Sequence, residues 1–158
     1  MAVTASGIYC ATIVDVLDAT QLAIDLSLTS HKIALFPNSI TPNFTTDTAW
    51  NVSPYNTGEV TGTNWASGGV ALSAAAAGGT STSPTLTASS GTVVYDMANV
   101  AVSATTFSNA RFALLYADAL AGNNAILGLN FGADYSPNAG LFEILFDAAG
   151  VFVIDLTP

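Results

Sequence analysis

Through most of the second half of the chain, apolar positions fall into short runs of strand length parted by Gly, Asn, Asp and Ser. Val93-Val94-Tyr95, Val100-Ala101-Val102, Arg111 to Asp118, Ala125 to Phe131, Leu141 to Asp147 and Val151 to Leu156 are rich in β-branched, aliphatic or aromatic residues, the composition that suits a pleated surface. In Leu141 to Asp147, Phe142, Ile144 and Phe146 share one face while Glu143 and Asp147 share the other. Asp147-Ala148-Ala149-Gly150 is a turn sequence, with Gly150 free to take a positive φ, so Val151 to Leu156 is expected to return as the hairpin partner of Leu141 to Asp147. Several short strands at this spacing predict a mainly β fold, an antiparallel β-sandwich or jelly-roll-like barrel.

The first half reads differently. From Ala11 to about Gln21 the apolar spacing predicts a short amphipathic helix, with Val14 and Leu17 on its apolar face, and Ile24-Asp25-Leu26 alternates like a strand. Residues 1–31 thus form an N-terminal helix and arm. Lys32 to Phe36 is a strand stopped by Pro37 and Asn38-Ser39. Thr41 to Thr57 has no sustained period and carries Pro, Asn, Asp and Ser throughout, which predicts a long loop. Phe44, Trp50 and Tyr55 make it an ordered loop, packed back on the domain or anchoring a neighbour, because disordered linkers are poor in aromatics. Residues 73–92 are a low-complexity run of Ala, Ser, Thr and Gly with little to bury, expected as an exposed hairpin tip or flexible loop, or as an arm ordered by an adjacent subunit.

Composition narrows the function. The 158 residues are expected to form a single domain; half are hydrophobic and only 8% are charged, against roughly 25% in ordinary soluble proteins. A surface with so few charges is poorly protected against association, so much of it is expected to meet other protein. Lys32 and Arg111 are the only Lys or Arg side chains, against eleven carboxylates, for a net charge of −9. That balance argues against nucleic acid and against an anionic membrane surface as partners, since both need several cationic contacts. The N-terminus has no basic, apolar signal pattern, and no uninterrupted apolar run reaches the ~18 residues of a membrane span; synthesis in a cytoplasm is the expectation.

Catalytic chemistry finds no constellation. His31 is the single histidine and Cys10 the single cysteine, far apart in sequence, so neither a Cys–His pair nor a multi-cysteine metal site is expected. His31 reads as a solvated or locally bonded side chain, and Cys10 as a small hydrophobe. Asp15 with Asp18, and Asp134 in its Gly-Ala-Asp-Tyr loop, read as solvated charge; no calcium or phosphate loop is present. The expectation is no enzyme, no metal and no cofactor. Four residues are candidates for interface anchoring: Trp50, Tyr55 and Trp65, otherwise core aromatics, and Arg111, which is expected either in a buried or inter-subunit ion pair or as a strand-end charge.

The most informative stretch is Asn56 to Leu72, NTGEVTGTNWASGGVAL. With KIALFPNSITPN before it and NARFALLYAD and SPNAGLFEILFDAAGVFVI after it, it resembles a family of small virion structural proteins of tailed bacteriophages. Members of that family carry an N-E-V-x-G-x-G-Y-x-x-G-G-x-x-L block between β-rich segments. Two departures stand out: Asn64-Trp65 occupies the place of the family's Gly-Tyr, and residues 73–92 are longer and richer in Ala, Ser and Thr than the usual connection. The resemblance implies a non-enzymatic virion protein, a decoration protein on the outer head lattice that binds the major capsid protein and copies of itself as a homotrimer. The alternatives are a tail or tail-tip component, or a carbohydrate-binding module with Trp50, Tyr55 and Trp65 as stacking platform and Asp47 and Glu59 as hydroxyl partners.

Overall fold

Strands buried on both faces read as near-continuous apolar runs, and two segments of this chain do so apart from one cation each: KIALF and ARFALLY. The computed structural model, which describes residues 3–17, 22–74 and 84–157, places them side by side at the centre of the protein. The elements are β1 (Gly7–Ile8), α1 (Cys10–Leu17), β2 (Lys32–Phe36), β3 (Val70–Ala71), β4 (Thr85–Ser89), β5 (Thr92–Asp96), β6 (Val100–Thr105), β7 (Ala110–Tyr116), β8 (Ala125–Tyr135), β9 (Gly140–Ile144) and β10 (Phe152–Asp155). A five-stranded sheet runs β1-β8-β7-β2-β3, a three-stranded sheet β10-β5-β4, and a two-stranded sheet β6-β9. All of their pairings are antiparallel, and the fold is mainly β and sandwich-like with one short helix.

The register of β2 against β7 sorts the side chains. Ile33 faces Leu115 and Leu35 faces Ala113, while the intervening Ala34 and Phe36 face Leu114 and Phe112. Because side chains alternate along a strand, the first set enters one core and the second set another. On one side, Ile33, Leu35, Ala113 and Leu115 meet Tyr95, Met97, Val100, Phe142 and Ile144 from the two smaller sheets, with Trp65, Val60 and Leu72 among them. On the other side, Phe36, Phe112, Leu114 and Tyr116 are covered by Val3, Tyr9, Ile40 and Tyr55, flanked by Phe44 and Trp50. The long loop after β2 therefore packs back on the domain as a lid of aromatic rings.

Three expectations are corrected. Leu141–Asp147 and Val151–Leu156 do not form a hairpin: β9 pairs with β6, Phe142 opposite Val102, and β10 pairs with β5, Val153 opposite Val94. The turn itself exists, with Gly150 at φ 112° and its N–H donating to the Asp147 carbonyl at 2.9 Å, but it sits at a crossing between sheets. Within residues 73–92, of which 75–83 lie outside the described residues, Thr85–Ser89 is a strand. It pairs with β5 through Ser90-Gly91, both at positive φ (50° and 81°), the backbone that a two-residue hairpin turn demands. Finally, the predicted apolar helix face is turned outward: Thr12 is the buried residue of α1, while Val14 and Leu17 are 59% and 79% exposed. Asp18 to Gln21, predicted as the end of that helix, lie outside the described residues, and Ile24-Asp25-Leu26 is not a strand.

Candidate functional site

The Gly-rich block proves to be a structural knot. Asn64 adopts φ 58°, the left-handed conformation that glycine takes freely and that asparagine tolerates best among other residues. Its side-chain amide donates to the Ser103 and Ala104 carbonyls at 3.2 and 3.3 Å. Asn64 thus holds the turn and adds a tie to β6. Gly62 and Trp65 exchange backbone hydrogen bonds across this turn. Gly62 and Gly69 have no room for a side chain: a Cβ would lie 1.9 Å from the Thr106 carbonyl oxygen and 1.9 Å from the Ile33 carbonyl oxygen respectively. Glu59 closes the knot, its carboxylate accepting from the Gly68 N–H at 2.8 Å and from the Ser67 hydroxyl at 2.9 Å. Tyr116 donates its hydroxyl to the Gly68 carbonyl at 2.7 Å.

The candidate anchors separate accordingly. Trp65 is fully buried, edge-on to Phe107 and Phe142 with ring centroids at 5.9 and 5.5 Å. Tyr55 is also buried, stacked on Phe112 and hydrogen-bonded through its hydroxyl to Tyr9. Both are core residues of the chain, which corrects their candidacy as surface anchors. Trp50 is partly buried, one face lying flat on Tyr116 at 5.3 Å. Arg111 pairs within the chain, with Asp134 at 3.6 Å. Lys32 pairs with Asp118 at 2.9 Å. Lys32 and Arg111 are therefore both spent internally, and among the described residues no other carboxylate pairs with a Lys or Arg side chain.

Titratable groups support structure. His31 is buried rather than solvated, and its Nε2 lies 2.7 Å from the Asp25 carbonyl oxygen; since a carbonyl only accepts, Nε2 carries the proton. Burial holds its pKa below the usual 6.5, against an opposing pull from the Asp25 carbonyl and charge. Hydrogen bonds from the Ser27 hydroxyl and N–H hold the Asp25 carboxyl below its ordinary range. Burial is the leading cause that raises the hydroxyls of Tyr9, Tyr55, Tyr95 and Tyr116 well above the ordinary phenol value of 10.0. Among the described residues no three His, Cys, Asp or Glu side chains are placed to hold a metal ion, and no helix is long and apolar enough to cross a membrane.

Two of the depressions in the described surface bear on function. The larger, about 520 Å³, lies between α1, residues 24–27, β4 and β10; Ile13, Val16, Ile24, Leu26, Leu86 and Phe152 make it mostly apolar. The elements around it also expose Val14, Leu17, Leu86 and Val153. Sequence reading singled out none of these as a site, although the alternation of Ile24 and Leu26 about Asp25 was visible. Another, about 280 Å³, brings together Trp50 and Tyr55, named from sequence as part of a sugar platform, and Glu59, named as a hydroxyl partner, with Asn51, Asn56 and Ser67. Trp65 and Asp47 do not line it.

Searches of protein-family models, of curated proteins and of solved structures return no match to this chain.

Proposed function

We propose that the chain is a non-enzymatic structural protein of a tailed-bacteriophage particle, a decoration protein on the outer head lattice that contacts the major capsid protein and copies of itself as a trimer. The observation that carries this reading is the surface: an apolar cleft whose surrounding elements expose Val14, Leu17, Leu86 and Val153. A second exposed apolar group, Leu141, Leu145 and Tyr135, borders a groove of Phe131, Phe142 and Ile144. Exposed apolar groups of this kind mark protein contacts. The edge strand β4 points the same way, because Thr85–Ser89 carries no charge or proline to deter pairing with another chain. The excess of carboxylates suits a partner face that is neutral or basic and repels packaged DNA. The order of sequence segments supports the family reading, and the exposed apolar surface supports the assembly role.

A tail or tail-tip position is the second reading, and the same apolar surfaces serve it. Copy number separates the two. Quantitative mass spectrometry of purified particles from a phage that encodes the chain, against the major capsid protein, is expected to return hundreds of copies. A handful would move the protein to the tail or to a vertex, and none would refute the virion role.

A further inference from the structure

We propose that the cleft lined by Trp50, Asn51, Asn56, Thr57, Glu59 and Ser67 is a binding site for one ring of a neutral saccharide. The inference stands independently of the virion role. It rests on how the fold assembles groups that are scattered over residues 50–67 in sequence.

The platform comes first. Tyr116 takes one face of the Trp50 indole in a stack with only 10° between the planes, which fixes the ring; the indole N–H is buried, and the part of Trp50 that lines the cleft is offered to a ligand without loss of rotamer freedom. Apolar C–H faces of a sugar ring pack on such a surface, while sugar hydroxyls need donors and acceptors around it. The surroundings supply both. Asn51 and Asn56 are exposed primary amides, each with two donor hydrogens and an acceptor oxygen. Glu59 is already oriented by Gly68 and Ser67, and a carboxylate offers about four lone-pair positions, so acceptor capacity remains after those bonds.

The charge pattern selects the ligand class. No cationic side chain lines the cleft and Glu59 does, so an anionic sugar is repelled. A volume of about 280 Å³ lies just below the ~300–1,000 Å³ typical of small-molecule sites, room for one ring rather than a chain. A cationic side chain of another protein is the competing occupant, because an indole and a carboxylate both attract it. The amides and hydroxyls of Asn51, Asn56, Thr57 and Ser67 outnumber the one carboxylate and favour the saccharide.

The test titrates the purified chain with the methyl glycosides of glucose, galactose, mannose and N-acetylglucosamine, and separately with arginine and methylammonium. Tryptophan fluorescence and the indole N–H resonances report binding. The expected result is a saturable, millimolar-range response to at least one glycoside at the Trp50 resonance, with the Trp65 resonance still, since Trp65 is buried and outside the cleft. Asn56→Ala and Asn51→Ala, which keep the Trp50 reporter, are each expected to weaken that response about tenfold, the equivalent of one lost hydrogen bond. Asn56 is exposed, so its variant keeps the fold and separates lost binding from lost structure. No response to any glycoside would overturn the proposal, as would a response that survives Asn56→Ala and Asn51→Ala undiminished, or binding of the cations alone.

Discussion

Trp65→Ala is the sharpest test of how the Gly-rich block works. If Trp65 were an anchor for a neighbouring subunit, its removal would leave the isolated chain as stable as before. The structure instead buries it completely, edge-on to two phenylalanines in the core between the central sheet and the smaller sheets. Truncating a buried Trp or Phe to Ala costs about 3–5 kcal/mol, from lost transfer energy and the cavity left behind. In a protein of this length each kcal/mol moves the midpoint by about 2–4 °C, so Trp65→Ala is expected to lower Tm by roughly 10–15 °C. Trp65→Phe should fall much closer to the parent. It keeps a ring in the site and removes an indole N–H that is buried without a partner, a group whose burial costs about 1–3 kcal/mol. The assay is thermal unfolding followed by far-ultraviolet circular dichroism, which does not depend on the tryptophan removed. A Trp65→Ala midpoint within about 2 °C of the parent, under 1 kcal/mol on the same scale, would refute the core assignment.

Gly69→Ala meets both a positive φ of 75° and a carbonyl oxygen 1.9 Å from the new Cβ, so it is expected to abolish folding or cost several times the ~1 kcal/mol of an ordinary glycine replacement, read from soluble yield and urea unfolding. Glu59→Gln leaves one acceptor oxygen for Gly68 and Ser67 and removes the charge that strengthens both bonds; a loss of about 1–2 kcal/mol is expected, with faster hydrogen exchange at the Gly68 amide. His31 binds its proton less tightly when folded, so its contribution to stability is complete above the unfolded value of 6.5 and declines as the pH falls below it; urea midpoints across that range should drop, and His31→Gln should flatten the drop. The four buried tyrosines have the opposite sense. Their folded pKa values are raised, so stability is complete below 10.0 and is lost above it, and tyrosinate absorbance should show four of the five tyrosines ionising only as the chain unfolds.

Local features of this protein were legible in the amino-acid order. The apolar runs Lys32 to Phe36 and Arg111 to Asp118 read as strands, and the structure forms strands at Lys32–Phe36 and Ala110–Tyr116; the Gly-rich block stood out as the most distinctive stretch. The shortage of cations was equally plain, and the structure only added that both are spent on Asp118 and Asp134. These are properties of a residue and its near neighbours: steric freedom, side-chain alternation and charge.

Partner choice was not legible. Leu141–Asp147 and Val151–Leu156 have the pattern of a hairpin, yet β9 pairs with β6 and β10 with β5, because alternation tells which face of a strand is apolar but not which other strand will cover it. The same holds for Thr85–Ser89, whose small side chains suggested a loop until β5 gave it a ladder to complete. It also holds for the aromatics: Trp50, Tyr55 and Trp65 look alike in sequence, and only the packing of a loop over one face of the sheet, and of a tight turn under the other, made two of them core and left one at the edge of a cleft. Burial is decided by contacts between residues far apart in the chain, so the sequence determined what each segment could become and the tertiary structure alone determined which surfaces remained to meet a partner.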